Sequence, residues 1–282
     1  MGNSSFTVLP MSQRFALEPG KTYTGKLSIV NPAESTEDFH YVMSVSPYGV
    51  TGEDYDVDFA TVTNRSEIVK WIKISEPTGS VKPNETKEVE FTITVPEDAA
   101  GGGQYALIAV SSNETATATE GVAVNNVFEL ASIVYATVSG ETKHEGEILE
   151  NNVPGFVVKT PVTLSALISN NGNVHEDATF VISVSNAFTG QVILPTEDNE
   201  GRYNELIMPD TTREITREIN NLPALGIIKI NQTIYYLGDV KTVEKNVIIC
   251  PIWFMLLLGV TILAIIGAIV GTVLKHKRRI SV

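Results

Sequence analysis

The feature that most constrains this chain lies near its C-terminus, where Val247 to Leu274, "VIICPIWFMLLLGVTILAIIGAIVGTVL", runs for 28 residues without a charge. As a helix rising about 1.5 Å per residue it is longer than the roughly 30 Å hydrocarbon core of a bilayer. Leu, Ile, Val and Phe dominate from Ile252 to Val270, and each favours insertion by about 0.3 to 0.6 kcal/mol, which outweighs a few glycines. One transmembrane helix over residues 247–274 is therefore expected. Lys275-His276-Lys277-Arg278-Arg279 follows at once. The positive-inside rule then puts a basic tail, 275–282, in the cytoplasm and everything before Val247 outside the cell membrane. "MGNSSFTVLP" has neither the charged nor the apolar region of a secretory signal, so a processed chain is expected. Gly267 and Gly271 form a G-x-x-x-G pair, which permits close helix packing and oligomerisation within the membrane, although such pairs also arise by chance.

The remaining 246 residues have room for two domains of ordinary size. The chain carries 33 acids and 20 bases, four of those bases in the tail, for a net charge of -13. A surface this acidic excludes nucleic acid as a partner. Cys250 is the only cysteine and stands at the membrane edge. An extracellular region without disulfides suits a bacterial surface better than an animal receptor. The N-x-Ser/Thr triplets at Asn3, Asn64, Asn84, Asn113 and Asn231 are short enough to be frequent in Asn- and Thr-rich sequence.

Period-2 alternation dominates the ectodomain. In "KTYTGKLSIV" Tyr23, Leu27 and Ile29 share one side, and in "KEVEFTITV" Val89, Phe91, Ile93 and Val95 do; "FHYVMSV", "QYALIAV", "VTLSALI" and "TFVISVS" read similarly. Turn formers such as Pro19-Gly20, Asn31-Pro32 and Asn171-Gly172-Asn173 separate the runs. This predicts an all-β ectodomain of two immunoglobulin-like β-sandwiches. "EPGKTYTGKLSIVNP" (18–32) is echoed by "KPNETKEVEFTITVP" (82–96), read as one turn-and-strand device used twice in a single domain. "SSNETATATEG" is small, polar and without alternation. It sets expected boundaries at 1–112 for the first sandwich, 113–121 for a linker and 122–246 for the second.

Catalytic signals are missing: the sequence has no G-x-S-x-G, H-E-x-x-H or P-loop, and His40, His144, His175 and His276 are scattered. No enzyme activity and no cofactor are expected. The acidic stretch "PYGVTGEDYDVDF" (47–59) has three readings. Asp54, Asp56 and Asp58 imitate positions 1, 3 and 5 of an EF-hand, but Phe59 and Arg65 occupy the positions of its Gly and Glu. That excludes the EF-hand and leaves a looser carboxylate site open. Sugar binding asks for aromatic faces with carboxylates and amides, a mixture that Tyr48, Tyr55, Trp71, Asp54, Asp56, Asp58 and Gln104 supply, with Tyr105 beside Gln104. The third reading is an edge strand: if extended, Tyr55, Val57 and Phe59 face the core and the aspartates face solvent, discouraging edge-to-edge pairing. In "PEDAAGGGQY" a β-run instead of a helix follows the glycines, which argues against a phosphate loop and for a tight bulged turn, ahead of a loop that lets a glycan approach the backbone closely.

Several stretches in order, "RFALEPGKTYTGKLSIVNP", "PYGVTGEDYDVDF", "IVKWIKI", "KPNETKEVEFTITVPEDA" and "GGGQYALI", resemble the N-terminal domain of the WxL-interacting protein family of Gram-positive bacteria. The resemblance covers the first 110 residues. It implies peptidoglycan or another wall glycan as ligand, WxL-domain proteins as partners, and a second β-domain, a membrane helix and a basic tail to follow. The second domain here does not clearly carry the family's second-domain motifs. The expected function is thus non-catalytic binding of peptidoglycan or a wall-associated partner through the first domain. The alternative is a structural or adhesive protein whose β-domains dock partner proteins without glycan, for instance by strand addition at a sheet edge.

Overall fold

Residues 6–112, 129–196 and 200–280 are described by the structure, a computed structural model, with side chains as far as Thr272. The chain divides into two units, the first made of Met1–Gly146 with Ser169–Glu176 and Leu206–Arg213. The second comprises Glu147–Ile168, Asp177–Glu205 and Glu214–Val282.

In the first unit the elements are β1 (Thr7–Leu9), β2 (Ser12–Leu17), β3 (Thr22–Asn31), β4 (Phe39–Pro47), β5 (Gly49–Thr51), β6 (Asp56–Asp58), the single-turn α1 (Ile68–Trp71), β7 (Ile72–Ile74), β8 (Thr78–Val81), β9 (Glu85–Thr94), β10 (Gly102–Ser112) and β11 (Glu129–Val138). Two sheets, β1-β3-β9-β7 and β2-β11-β10-β4-β8, enclose a core, and β5-β6 forms a separate ribbon. The alternation predicted for β3 and β9 puts Leu27, Ile29, Phe91 and Ile93 in that core. The two echoing stretches prove to be antiparallel neighbours in one sheet, Leu27 opposite Val89 and Tyr23 opposite Ile93. Gly25 lies opposite Phe91, and a Cβ there would come within 2.2 Å of the ring. The missing side chain is what gives the phenyl ring its place.

β10 departs from the half-buried pattern expected of it. Gly102 to Val110 are all buried, because this strand lies between β11 and β4 in the sheet and is covered on both faces. The pairing of β10 with β11, from Gly102–Val138 to Ser111–Glu129, also corrects the domain division. Residues 129–138 belong to the first sandwich, and the units part between Gly146 and Glu147. A small, polar stretch can join two strands of one sheet as well as two domains, and composition alone does not distinguish them. The expected linker, 113–121, lies outside the described residues.

The second unit is built on β12 (Gly146–Asn152), β13 (Phe156–Val157), β14 (Val162–Asn170), β15 (Glu176–Asn186), β16 (Val192–Leu194), β17 (Arg202–Ile207), β18 (Thr211–Ile219), β19 (Gly226–Tyr236), β20 (Asp239–Ile249) and the helix α2 (Ile252–Ile280), except that Gly146 and the residues of β14, β15, β17 and β18 within 169–176 and 206–213 belong to the first unit. Its sheets are β12-β14-β18 and β13-β20-β19-β15-β16, with β17 also on β15. They close on Val162, Leu164, Ile182, Val184, Ile228, Ile230, Val247 and Ile249. Both units are immunoglobulin-type sandwiches, as the patterning predicts.

α2 contains one stretch, Ile252–Thr272, long and apolar enough to cross a membrane. The expected start at Val247 is corrected: Val247 and Ile249 are wholly buried at the end of β20. An apolar strand end runs without a charge into the helix, so the uncharged run is longer than the helix. Pro251 marks the change, since it cannot donate to a strand ladder but is tolerated at a helix start.

Candidate functional site

The residues that the sequence marks for ligand contact all lie in the first unit, and the structure gives most of them internal partners. Gln104 is only 7% exposed. Its Oε1 accepts the Ile68 N–H at 3.2 Å and its Nε2 donates to the Asn64 carbonyl at 2.9 Å, clipping the loop before α1 to β10. Trp71, at the end of α1, packs half-buried against the core. Tyr105 is buried opposite Tyr135 in the β10–β11 register, with ring centroids 6.1 Å apart. Its hydroxyl lies 3.3 Å from His175 Nδ1. The Tyr135 hydroxyl in turn donates to Tyr48 at 3.4 Å, over an edge-to-face ring contact of 5.8 Å. Burial pushes the Tyr105 and Tyr135 phenols far above the usual tyrosine range.

The three glycines before Gln104 make close approaches to the protein itself. A Cβ on Gly101 would lie 2.6 Å from the Glu141 nitrogen, and one on Gly103 would lie 2.0 Å from the Tyr105 hydroxyl. Beyond the end of β4, the backbone of β10 bonds to loops instead, Gly103 N–H to Asn173 O and Tyr105 N–H to Arg65 O, both at 2.7 Å. Arg65 adds a donor to Asn173 O at 2.7 Å and an ion pair with Asp210.

The acidic stretch is not the strand with an apolar inner face that alternation suggested. Tyr55 adopts a left-handed φ of 60°, and β6 keeps only Asp56–Asp58. That turn sends the Tyr55 hydroxyl to the Met208 N–H at 2.8 Å and to Thr211 Oγ1 at 2.5 Å. Arg213 covers the ring, its guanidinium carbon 4.6 Å from the centroid. With Tyr55 turned away, Val57 (49%) and Phe59 (50%) stand half-exposed rather than inside. Asp58 closes the following turn, its Oδ1 accepting the Ala60 and Thr61 N–H groups at 2.9 and 3.0 Å. The Thr61 side chain and those two amides hold its carboxyl below the usual range. Asp54 and Asp56 are exposed on the same ribbon. Among the described residues, no group of three or more His, Cys, Asp or Glu side chains is placed to hold a metal ion.

The solvent-facing part of the predicted set is therefore Asp54 and Asp56 on the β5–β6 ribbon, joined by Val57 and Phe59, which the alternation places inside. Tyr135, His175, Arg65 and Arg213, absent from the sequence prediction, complete the cluster behind it. They come from segments far apart in the chain, and the expected boundary at 122 assigns even Tyr135, which pairs with Tyr105, to the other domain. In the second unit a cleft of about 590 Å³ has Ile182, Leu194 and Ile219 among its lining residues, with Arg202, Tyr203 and Arg217 as polar ones. Arg217 lies over the Tyr203 ring at 4.5 Å, and that ring stacks on Phe180 at 4.8 Å. Gly267 and Gly271 lie on α2, where an added Cβ would meet nothing within 4 Å.

Fold and site define a protein of two consecutive immunoglobulin-type sandwiches ending in an apolar helix. No family model matches the chain. No curated protein matches it either. Among solved structures it is similar to a chain of a chaperone–tip adhesin complex of CFA/I fimbriae (TM-score 0.41, 10% identity, 86% of this chain and 99% of that one). It is also similar to a chain of the Salmonella enterica SafA pilin–SafB chaperone complex (0.40, 11%, 86% and 97%). A PapD-like domain of human CEP192 matches 49% of this chain and 87% of its own length, at 0.33 and 19%. Neither function nor partner is carried from them to this chain.

Proposed function

We propose that the chain is a non-catalytic, membrane-anchored surface protein, held by α2 with its basic tail in the cytoplasm, whose first unit docks a wall-associated protein through the β5–β6 ribbon. The observation that carries this reading is the half-exposed pair Val57 and Phe59, flanked by Asp54 and Asp56 on a ribbon pinned by the Tyr55 hydroxyl. An apolar pair rimmed by acids suits a protein partner. Stacking on a sugar needs open aromatic faces, whereas Tyr105 is buried, Trp71 leans on the core and Arg213 covers Tyr55. The resemblance of the first 110 residues to WxL-interacting proteins supports a WxL-domain protein as the partner to try first.

The test uses the full chain in nanodiscs against an immobilised WxL-domain protein. Val57→Ser with Phe59→Ser is expected to weaken binding by roughly tenfold or more, since about 1.4 kcal/mol is one decade and central apolar contacts carry that much. Unchanged binding by the double variant, together with sedimentation of the chain on insoluble peptidoglycan, would refute protein docking in favour of the glycan reading.

A further inference from the structure

The second unit carries exposed apolar side chains at one end of its larger sheet, and that end is the one from which the chain enters α2. Gly226 at the start of β19 pairs with Ile249, the last residue of β20. Asn186 at the end of β15 pairs with Ile228, and Ala187 donates its N–H to the Ile227 carbonyl. β13 lies parallel to β20, with Phe156 beside Ile248 and Val157 beside Ile249. The register therefore brings three connections, 158–161, 187–191 and 220–225, to the end of the sheet where, after Cys250 and Pro251, Ile252 begins α2.

These connections share a composition. "NAFTGQVILPT" (186–196) and "NNLPALGII" (220–228) contain no Asp, Glu, Lys or Arg, and the connection that leaves β13, "VKTP" (158–161), carries the single base Lys159. Phe188 is 80% exposed at the tip of a turn closed by Asn186, whose Oδ1 accepts the N–H groups of Phe188 and Thr189. Phe156, Val158, Val192, Leu225 and Ile248 are exposed as well. A rigid turn that holds a phenylalanine out into water, at the end of a sheet joined to a membrane helix by two residues, fits an apolar medium better than an aqueous one. Aromatic side chains favour the interfacial zone of a bilayer, and shallow insertion of an apolar surface reaches about 5–10 Å into the headgroup region.

We infer that these three connections form a lipid-contacting foot, with Phe188, Phe156 and Leu225 dipping into the outer headgroup region around the point where α2 enters the bilayer. The inference rests on the reading of α2 as a membrane anchor. Lys159 is the single base on these connections and the residues that dip are apolar, so the contact does not require anionic lipid.

The test uses the full chain in phosphatidylcholine liposomes, with Cys250→Ser and single nitroxide labels at Phe188→Cys, Phe156→Cys, Val192→Cys, Thr51→Cys and Ala264→Cys. Collision rates with oxygen, which partitions into lipid, are compared with those for a water-soluble nickel chelate. The oxygen-to-nickel ratio at 188 and 156 is expected to be several-fold above that at 51 and below that at 264, with 192 intermediate. Ratios at 188 and 156 equal to that at 51, with 264 reading lipid, would overturn the foot and leave the anchor standing. A water-like ratio at 264 would overturn both, and a lipid signal at 188 that appears only when phosphatidylglycerol is added would overturn the apolar basis.

Discussion

Gln104 offers a decisive test of whether the start of β10 forms a binding surface or a scaffold. Replacing it with Leu keeps the volume but removes the acceptor for Ile68 N–H and the donor to the Asn64 carbonyl. The Ile68 bond is buried, so its orphaned N–H costs about 1–3 kcal/mol, while the Asn64 carbonyl, nearer to water, adds about 0.5–1.5 kcal/mol. A loss of about 1.5 to 4.5 kcal/mol is expected, which lowers the melting temperature of a domain of this size by roughly 3 to 18 °C. Trp71, three residues beyond Ile68 and half-buried, reports unfolding of this region by its fluorescence in urea, and Trp253 on α2 is the only other tryptophan. Gln104→Leu should lower the urea midpoint without changing the slope. If the variant instead unfolded within about 0.5 kcal/mol of the parent while losing affinity for its ligand, Gln104 would be a contact residue and the scaffold assignment would be wrong.

Three further outcomes follow from the same geometry. Asp58 has a folded-state carboxyl pKa below its unfolded value, so its contribution is present at neutral pH and is lost as pH falls through the folded pKa; the Ala60 and Thr61 amide NMR shifts should titrate there, and Asp58→Asn should abolish that titration. Gly25→Ala, with its Cβ 2.2 Å from the Phe91 ring, should destabilise the first unit by about 1–3 kcal/mol, and much less in a Phe91→Leu background; additive costs in that double-mutant cycle would contradict the contact. The Gly267 and Gly271 pair predicts close packing of two copies of α2, so Gly267→Leu with Gly271→Leu should lower the cross-linked dimer fraction in bilayers, and an unchanged fraction would remove the motif from consideration.

What could be read from the sequence follows from how each element is buried. β3 and β9 each bury one face, so Leu27, Ile29, Phe91 and Ile93 appear at period 2 and the sandwich class is evident. β10 is covered on both faces, and alternation then says nothing about which of its residues meet solvent. The pattern therefore leaves Gln104 and Tyr105 available for a ligand where the fold buries them. Tyr55 departs from the alternation for a local reason: a left-handed residue turns its side chain out of the strand pattern, and nothing beside it in "GEDYDVDF" requires that conformation. The partners that fix it, Met208, Thr211 and Arg213, lie more than 150 positions away. Spacing within a motif carries no information about contacts of that range.

The two-residue passage from β20 to α2 also has a mechanical consequence. For a protein anchored through α2, a load borne by the anchor enters the second sandwich at Ile249, the last residue of β20. That strand is paired with β19 from Gly226–Ile249 to Tyr236–Asp239, and antiparallel hydrogen bonds lie across the strand direction. A pull along β20 therefore shears the whole ladder together instead of opening it bond by bond, and resistance to such a pull is set by the height of one unfolding barrier rather than by the equilibrium stability of the domain.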